Sequence, residues 1–238
     1  MRLDSYLVDS GLFESRNRAS VAIKSGLVSV DAKVVTKPSF RVDELANVKV
    51  QESKFYISRA AKKLEEYLKE YNLPIDDARC LDIGSSTGGF TQMLLENGAS
   101  SVDCVDVGKE QLHNSLRENS NVNVFEQTDI RDFKSEPYDL IVSDVSFISL
   151  LKIVDSVDSL SSSSTTTICL LFKPQFEVGL GVKRDSKGVV LDKNAIESAK
   201  RDFELKTKEL GWQIVDTRAS RVSGKEGNIE HFYTFVKV

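Results

Sequence analysis

The run ARCLDIGSSTGGFT, Ala78 to Thr91, passes from an apolar strand through a glycine-rich turn into a helix. Gly84, Gly88 and Gly89 permit a tight turn beneath a flat ligand, and Asp82 stands in the strand just before it. Working outward, apolar strands alternate with amphipathic helices: SSVDCVDVG, VNVFEQTD, YDLIVSDVS and TTICLLFKP, then a helix from Asp192 to about Leu210, then WQIVDTRAS and NIEHFYTFVKV. Such alternation predicts an α/β chain with a doubly wound parallel sheet and a ligand at the carboxyl ends of its strands. The last two strands, parted by a glycine-rich turn, are expected to close the sheet as an antiparallel pair. Ser159 to Thr167 is a polar loop before the buried strand.

The turn departs from the G-x-G-x-x-G of nicotinamide enzymes, because Ser86 replaces the glycine that admits a pyrophosphate. Asp106 ends the next strand about 20 residues on, where ribose hydroxyls are bound. Asp129, Ile130 and Arg131 follow the third strand as TDIR. Acid, glycine turn, second acid and TDIR together resemble S-adenosylmethionine (SAM) methyltransferases, with a Rossmann-like sheet. The candidate cofactor residues are Asp82, Gly84, Ser86, Gly88, Gly89, Phe90, Asp106, Asp129, Ile130 and Asp144.

The 238 residues, 40% of them hydrophobic, suffice for one large domain and a small one. Cys80, Cys104 and Cys169 sit in separate apolar runs without C-x-x-C spacing, which predicts buried reduced thiols and no metal site. MRLDSYLVDS is not a basic-then-apolar leader and no segment has the apolar length of a membrane span, so a cytoplasmic protein without membrane contact is expected.

The net charge of −4 is unevenly spread. Residues 1–57 hold nine Lys/Arg against seven Asp/Glu, so this segment is +2 and the remainder −6. Leu3, Tyr6 and Leu7 mark one short helix ended at Gly11; Ser15 caps a second, with Ala19, Ala22 and Ile23 inside and Gly26 as its stop. A hairpin follows around Asp31-Ala32. Arg16, Arg18 and Lys24 fall on the polar side of the second helix, either as a solvated face or where phosphates reach them. Arg2-Leu3-Asp4, Gly11, Ser15-Arg16, Ala19, Ile23, Gly26, Val28 and Val30 resemble the S-four-type (alpha-L) RNA-binding domain. The resemblance implies a small N-terminal α+β domain for structured RNA, with residues 1–57 as domain and linker and 58–238 as the methyltransferase. The hairpin after Gly26 speaks against a DNA-reading helix-turn-helix.

The fourth strand ends in Asp144-Val145-Ser146-Phe147, without the Pro-Pro-aromatic turn of enzymes that methylate exocyclic base amines. Cys169 lies inside a strand, where it does not serve as a base-carbon nucleophile. What remains is a carboxylate, Asp144, and an amine, Lys173, at two strand ends, either as a structural ion pair or as groups acting on a hydroxyl. Desolvation after the apolar run Ile168 to Phe172 places Lys173 where it can serve as a base. In YISRAAKKLEEYLKEY, Lys63 lies in the row of Ala60 and Tyr67 bordering the buried stripe and is the better candidate to point inward, the alternative being a snorkelling side chain, whereas Lys62 joins Glu66 and Lys69 on the wet face. Pro174 to Val190, with three glycines and three cations, predicts a mobile lid.

SRAAKKL, DIGSSTGGFT, DVSFISL, FKPQFEVG and GKEGNIEHF, in this order behind an S-four-type segment, closely resemble the hemolysin A (TlyA) family of ribosomal RNA 2′-O-methyltransferases, relatives of FtsJ. The resemblance implies a catalytic Lys-Asp-Lys-Glu tetrad on Lys63, Asp144, Lys173 and Glu230, SAM as cofactor, and a cytidine ribose of ribosomal RNA as target, in the large subunit (23S). It implies a monomer acting on rRNA or a ribosomal subunit rather than on DNA, and places Arg2 and Arg59 with the RNA-binding residues. The competing functions are a non-catalytic ribosome assembly factor, opposed by the complete cofactor turn and tetrad, and a membrane-active hemolysin, which no strongly amphipathic cationic segment supports.

Overall fold

The computed structural model describes every residue except 14, 44–45, 51–55, 163–164 and 238. Two compact units meet at Phe55 and Tyr56. In the first, α1 (Leu3–Asp9) and α2 (Arg16–Lys24) precede β1 (Val28–Val30), β2 (Lys33–Val34) and β3 (Val48–Val50). The strands form a small antiparallel sheet in the order β2-β1-β3. Ser15 caps α2 as its residue type predicts, its hydroxyl accepting from the Arg18 N–H. Asp31 and Ala32 both take positive φ, as a two-residue hairpin turn requires. Leu3, Leu7, Ala19, Ile23 and Val28 bury completely between helices and sheet. β3 was not anticipated; Val48 and Val50 are too short a pattern to announce a strand before β1 pairs with it.

The second unit runs α3 (Arg59–Leu68), β4 (Arg79–Ile83), α4 (Gly89–Glu96), β5 (Ser101–Val105), α5 (Asn114–Arg117), β6 (Val122–Phe125) and β7 (Leu140–Ser143). It continues with α6 (Val154–Ser159), β8 (Thr167–Phe172), α7 (Pro174–Glu177), α8 (Lys193–Glu209), β9 (Trp212–Ala219) and β10 (His231–Lys237). The seven strands lie in the order β6-β5-β4-β7-β8-β10-β9. The first five are parallel, and β10 is antiparallel to both β8 and β9. The expected doubly wound sheet with an antiparallel closing pair is thus found, with the last strand inserted inside the pair rather than at the edge.

Strand residues alternate between two apolar layers because a strand turns successive side chains to opposite faces. Cys80, Cys104, Cys169 and Leu171 pack with Leu64, Phe90 and Met93 under α3 and α4. Leu81, Ile83, Ile168, Leu170 and Phe172 pack with Val154, Val157 and Phe203 under α6 and α8. The three cysteines are buried and free, and burial pushes Cys80 and Cys169 up to about 12, so both remain thiols. Asp192 caps α8, accepting from the Ala195 N–H. Among the described residues, no helix is long and apolar enough to cross a membrane.

His231 opens β10, partly buried, and desolvation, aided by Lys200, lowers its imidazole from 6.5 to about 4. The unfolded chain therefore binds a proton there before the folded one does. Stability falls as pH drops from about 6.5 toward about 4, and is unaffected by this group above that window. His231→Gln is expected to flatten that part of the pH profile of the urea midpoint; an unchanged slope would assign the acid sensitivity elsewhere.

Candidate active site

Gly84 follows β4 with φ +76, and a Cβ there would lie 2.9 Å from Val145 Cγ1 and 3.1 Å from Val145 Cα. Only glycine lets the turn pass this close to the end of β7. Asp106 fixes the turn from beside it: Oδ2 accepts the Ser86 N–H at 2.8 Å and Oδ1 the Gly108 N–H at 2.7 Å. The other two glycines serve packing. A Cβ on Gly88 would meet Leu116 at 2.2 Å, and one on Gly89 would meet Ser58 Oγ at 2.2 Å and Ala61 N at 2.7 Å. Both lie outside the cleft lining.

The cleft beyond Gly84 measures about 670 Å³, within the range of small-molecule sites. Ser58, Lys63, Asp82, Phe90, Asp144 and Lys173 line it, with Glu230. Asp82 is fully buried; Oδ2 accepts from the Thr91 N–H and hydroxyl, and Oδ1 has no partner among the described residues. Burial raises its carboxyl to about 7, against the two Thr91 bonds and with the help of Asp144 and Asp106. Ser58 stands at the N-cap of α3, yet its hydroxyl makes no cap bond and is likewise buried without a partner. Asp129 is held in a bidentate pair by Arg131, which keeps its carboxyl below the usual range, and Ile130 is buried in the core. Asp106, Asp129 and Ile130 also lie outside the cleft lining.

The four tetrad residues come together from four elements. Lys63 on α3 is 8% exposed, with Nζ 2.7 Å from Glu230 Oε2 and 3.4 Å from Asp144 Oδ1. Lys173, just past β8 and 5% exposed, places Nζ 2.7 Å from the same Asp144 Oδ1. It also donates to the Asp144 carbonyl at 3.1 Å and the Ser146 hydroxyl at 2.9 Å, so three acceptors surround its three N–H groups. Glu230, 2% exposed, further accepts from Gln175 at 3.2 Å. The inward reading of Lys63 and the outward one of Lys62 agree with this packing.

The rim was largely invisible to sequence reasoning. Phe147 is 90% exposed with φ +66, a backbone conformation that costs a side chain of this size of order 1–3 kcal/mol, and its ring lies 5.2 Å from that of Phe176. Arg59, Arg184, Lys187 and Lys225 add cations to the cleft lining. Arg59 donates to the Ser223 carbonyl at 2.7 Å. The segment expected as a mobile lid carries hydrogen bonds of its own: α7 starts at Pro174, Arg184 donates to the carbonyls of Gln175 and Gly179, and Asn228 accepts from the Val190 N–H and donates to the Gly188 carbonyl. In the N-terminal unit, Arg2 and Arg16 both hold the buried Asp4, which lowers its carboxyl well below the usual range, while Lys24 is exposed.

A doubly wound sheet with an acid-flanked glycine turn and a lysine-rich cleft at its strand ends defines a Rossmann-like, SAM-dependent methyltransferase. The FtsJ-like methyltransferase pattern matches residues 56–237 and the S4 domain pattern residues 1–46, and the chain belongs to the FtsJ-like methyltransferase family. It is 44% identical over 257 residues to the 23S rRNA (cytidine-2′-O)-methyltransferase TlyA of Campylobacter jejuni, covering 100% of both chains. It is 37% identical to the 16S/23S rRNA (cytidine-2′-O)-methyltransferase TlyA of Mycobacterium tuberculosis, covering 97% of this chain and 88% of that one. A solved structure named as a hemolysin of Streptococcus thermophilus superposes with a TM-score of 0.73 at 32% identity, covering 100% of this chain and 88% of that one.

The residues present fit SAM. The orphaned Asp82 Oδ1 suits the α-ammonium of its amino-acid end, and the orphaned Ser58 hydroxyl at the start of α3 suits the carboxylate. Gly89→Ala tests how this wall is built: the added methyl forces α3 away from α4. We expect a loss of about 1–3 kcal/mol in stability and weaker SAM binding, although Gly89 does not line the cleft. Unchanged melting and calorimetric affinity would refute the packing role.

Proposed function

We propose that the protein transfers the methyl group of SAM to the ribose 2′-hydroxyl of a cytidine in ribosomal RNA, with 23S rRNA as substrate, and that it acts as a cytoplasmic monomer. The observation that carries this reading is the buried Lys63, Asp144, Lys173 and Glu230 cluster beside a cleft that fits SAM. The names of the relatives supply the substrate.

SAM supplies an electrophilic methyl on a sulfonium. A ribose hydroxyl is a poor nucleophile until its proton is leaving, so the protein must orient its lone pair and stabilise charge on the oxygen. Lys173 Nζ stands at the cleft wall, positioned by Asp144 and Ser146, and is assigned to the hydroxyl. Asp144 fixes that ammonium and Lys63, and Glu230 holds Lys63 in turn. Phe147 offers an exposed ring face at the rim on which a base can stack. α2 of the S4 unit presents Arg18 and Lys24 for phosphate contact.

The direct experiment is transfer of labelled methyl from SAM to undermethylated ribosomal subunits, with nuclease mapping of the product. Lys173→Ala is expected to lower turnover by ~10² to 10⁴-fold or more, with SAM and subunit affinities within a few-fold of wild type. Lys173→Arg fails nearly as far if the amine accepts the proton, because a guanidinium does not do so at working pH. Rescue by arginine would make the role of Lys173 purely electrostatic, and a near wild-type alanine variant would sink the mechanism.

Arg18→Ala combined with Lys24→Ala should weaken subunit binding and reduce the salt slope by roughly 0.7–0.9 for each lost phosphate contact. SAM affinity should not change. An unaltered slope in filter-binding titrations would remove α2 from the RNA interface.

A further inference from the structure

Asp144 and Glu230 each pair with a lysine, but among the described residues Asp82 pairs with none. Around it, the residue just past β7 contributes the Asp144 carboxylate, the one just past β5 the Asp106 carboxylate, β5 itself the Cys104 thiol, and α4 the Thr91 hydroxyl. Burial raises Cys104 far above neutrality, so it carries no charge, and the two carboxylates repel an anion on Asp82. On α3, Lys63 is committed to Glu230 and Asp144; beyond β8, Lys173 is committed to Asp144.

A fully buried carboxylate with one bare oxygen and negative neighbours is expensive to ionise. Its cheap form is the carboxylic acid. A cation delivered to Oδ1 inverts that preference. The site has the layout of an α-amino acid head: Asp82 grips Thr91 on the first turn of α4, and the Ser58 hydroxyl sits where a side chain of Gly89, two residues earlier, would be. Asp82 and Ser58 line the same cleft, which offers an ammonium the first and a carboxylate the second with the α3 N-terminus.

We propose that Asp82 exchanges a proton for the cofactor's α-ammonium: it waits in the empty cleft as a carboxylic acid and ionises as SAM enters, releasing one proton to solvent. The inference rests on SAM being the cofactor. Asp82 near 7 in the empty cleft sets the scale. Affinity rises about tenfold per pH unit from about pH 5 to 7 and levels off above, because only below the free-state value must the proton be expelled. S-adenosylhomocysteine keeps the ammonium and lacks the sulfonium, so it releases the proton equally. Capture at this end therefore does not discriminate spent from loaded cofactor.

The test is titration calorimetry of the full chain with SAM and with S-adenosylhomocysteine at pH 6, in two buffers of different protonation enthalpy. At that pH the cofactor's own amine is fully protonated. Wild type is expected to release close to one proton with either ligand. Asp82→Asn abolishes the release. Thr91→Val removes a donor that favours the anion, and moves the midpoint of the affinity profile to higher pH; this variant carries the test if Asp82→Asn does not fold. Binding without buffer dependence, release that persists in Asp82→Asn, or release with SAM alone would overturn the exchange. A wild-type protein that binds neither ligand would overturn the cofactor reading as well.

Discussion

Lys63 and Lys173 both reach one oxygen of Asp144, and the rest of the site is arranged around that shared contact. Two ammonium groups on one carboxylate leave an excess positive charge, which Glu230 neutralises through Lys63. The four groups are balanced only as a set. Withdrawing any one strands a buried charge, a change that typically costs ~3–5 kcal/mol. The ends of α3, β7, β8 and β10 are therefore held together by electrostatics as much as by the apolar layers beneath them. This rigidity suits a reaction in which the enzyme must mainly orient a hydroxyl.

Strand order makes the cluster possible. β10 pairs antiparallel with β8, with His231 opposite Phe172, so one further step beyond the ladder brings Glu230 and Lys173 to the same end of the sheet. β7 runs parallel to β8 on its other side and ends just before Asp144. α3 completes the set through Tyr67, whose ring stacks on Phe232 at 4.3 Å and whose hydroxyl reaches Thr234 and Asp216. One turn before that anchor, Lys63 meets Glu230, two residues before Phe232.

The cleft is electrostatically divided. The side formed by Lys63, Asp144, Lys173 and Glu230 is neutral by pairing, while Asp82 elsewhere in the lining is an acid that this pairing leaves out. The N-terminal unit has its own core and carries a basic helix, and it is built separately from the unit that holds the cleft.

Patterns of period two and 3.6 carried the α/β class, the seven strands of the large unit and the two helices and hairpin of the small one, because burying an apolar face demands that spacing wherever it occurs. The inward turn of Lys63 was legible for the same reason. Glu230 came only from resemblance: an acid before a closing strand looks solvated until β10 is inserted beside β8, and no local pattern encodes that insertion. Gly88 and Gly89 show the reverse ambiguity, since a glycine required by a neighbouring helix is written like one required by a ligand. Asp129, tied to Arg131, and the bare oxygens of Ser58 and Asp82 are likewise properties of neighbours. The sequence by itself determined which residues had to be buried and which elements they formed; only the tertiary structure decided which charges met, because those contacts join strands and helices far apart along the chain.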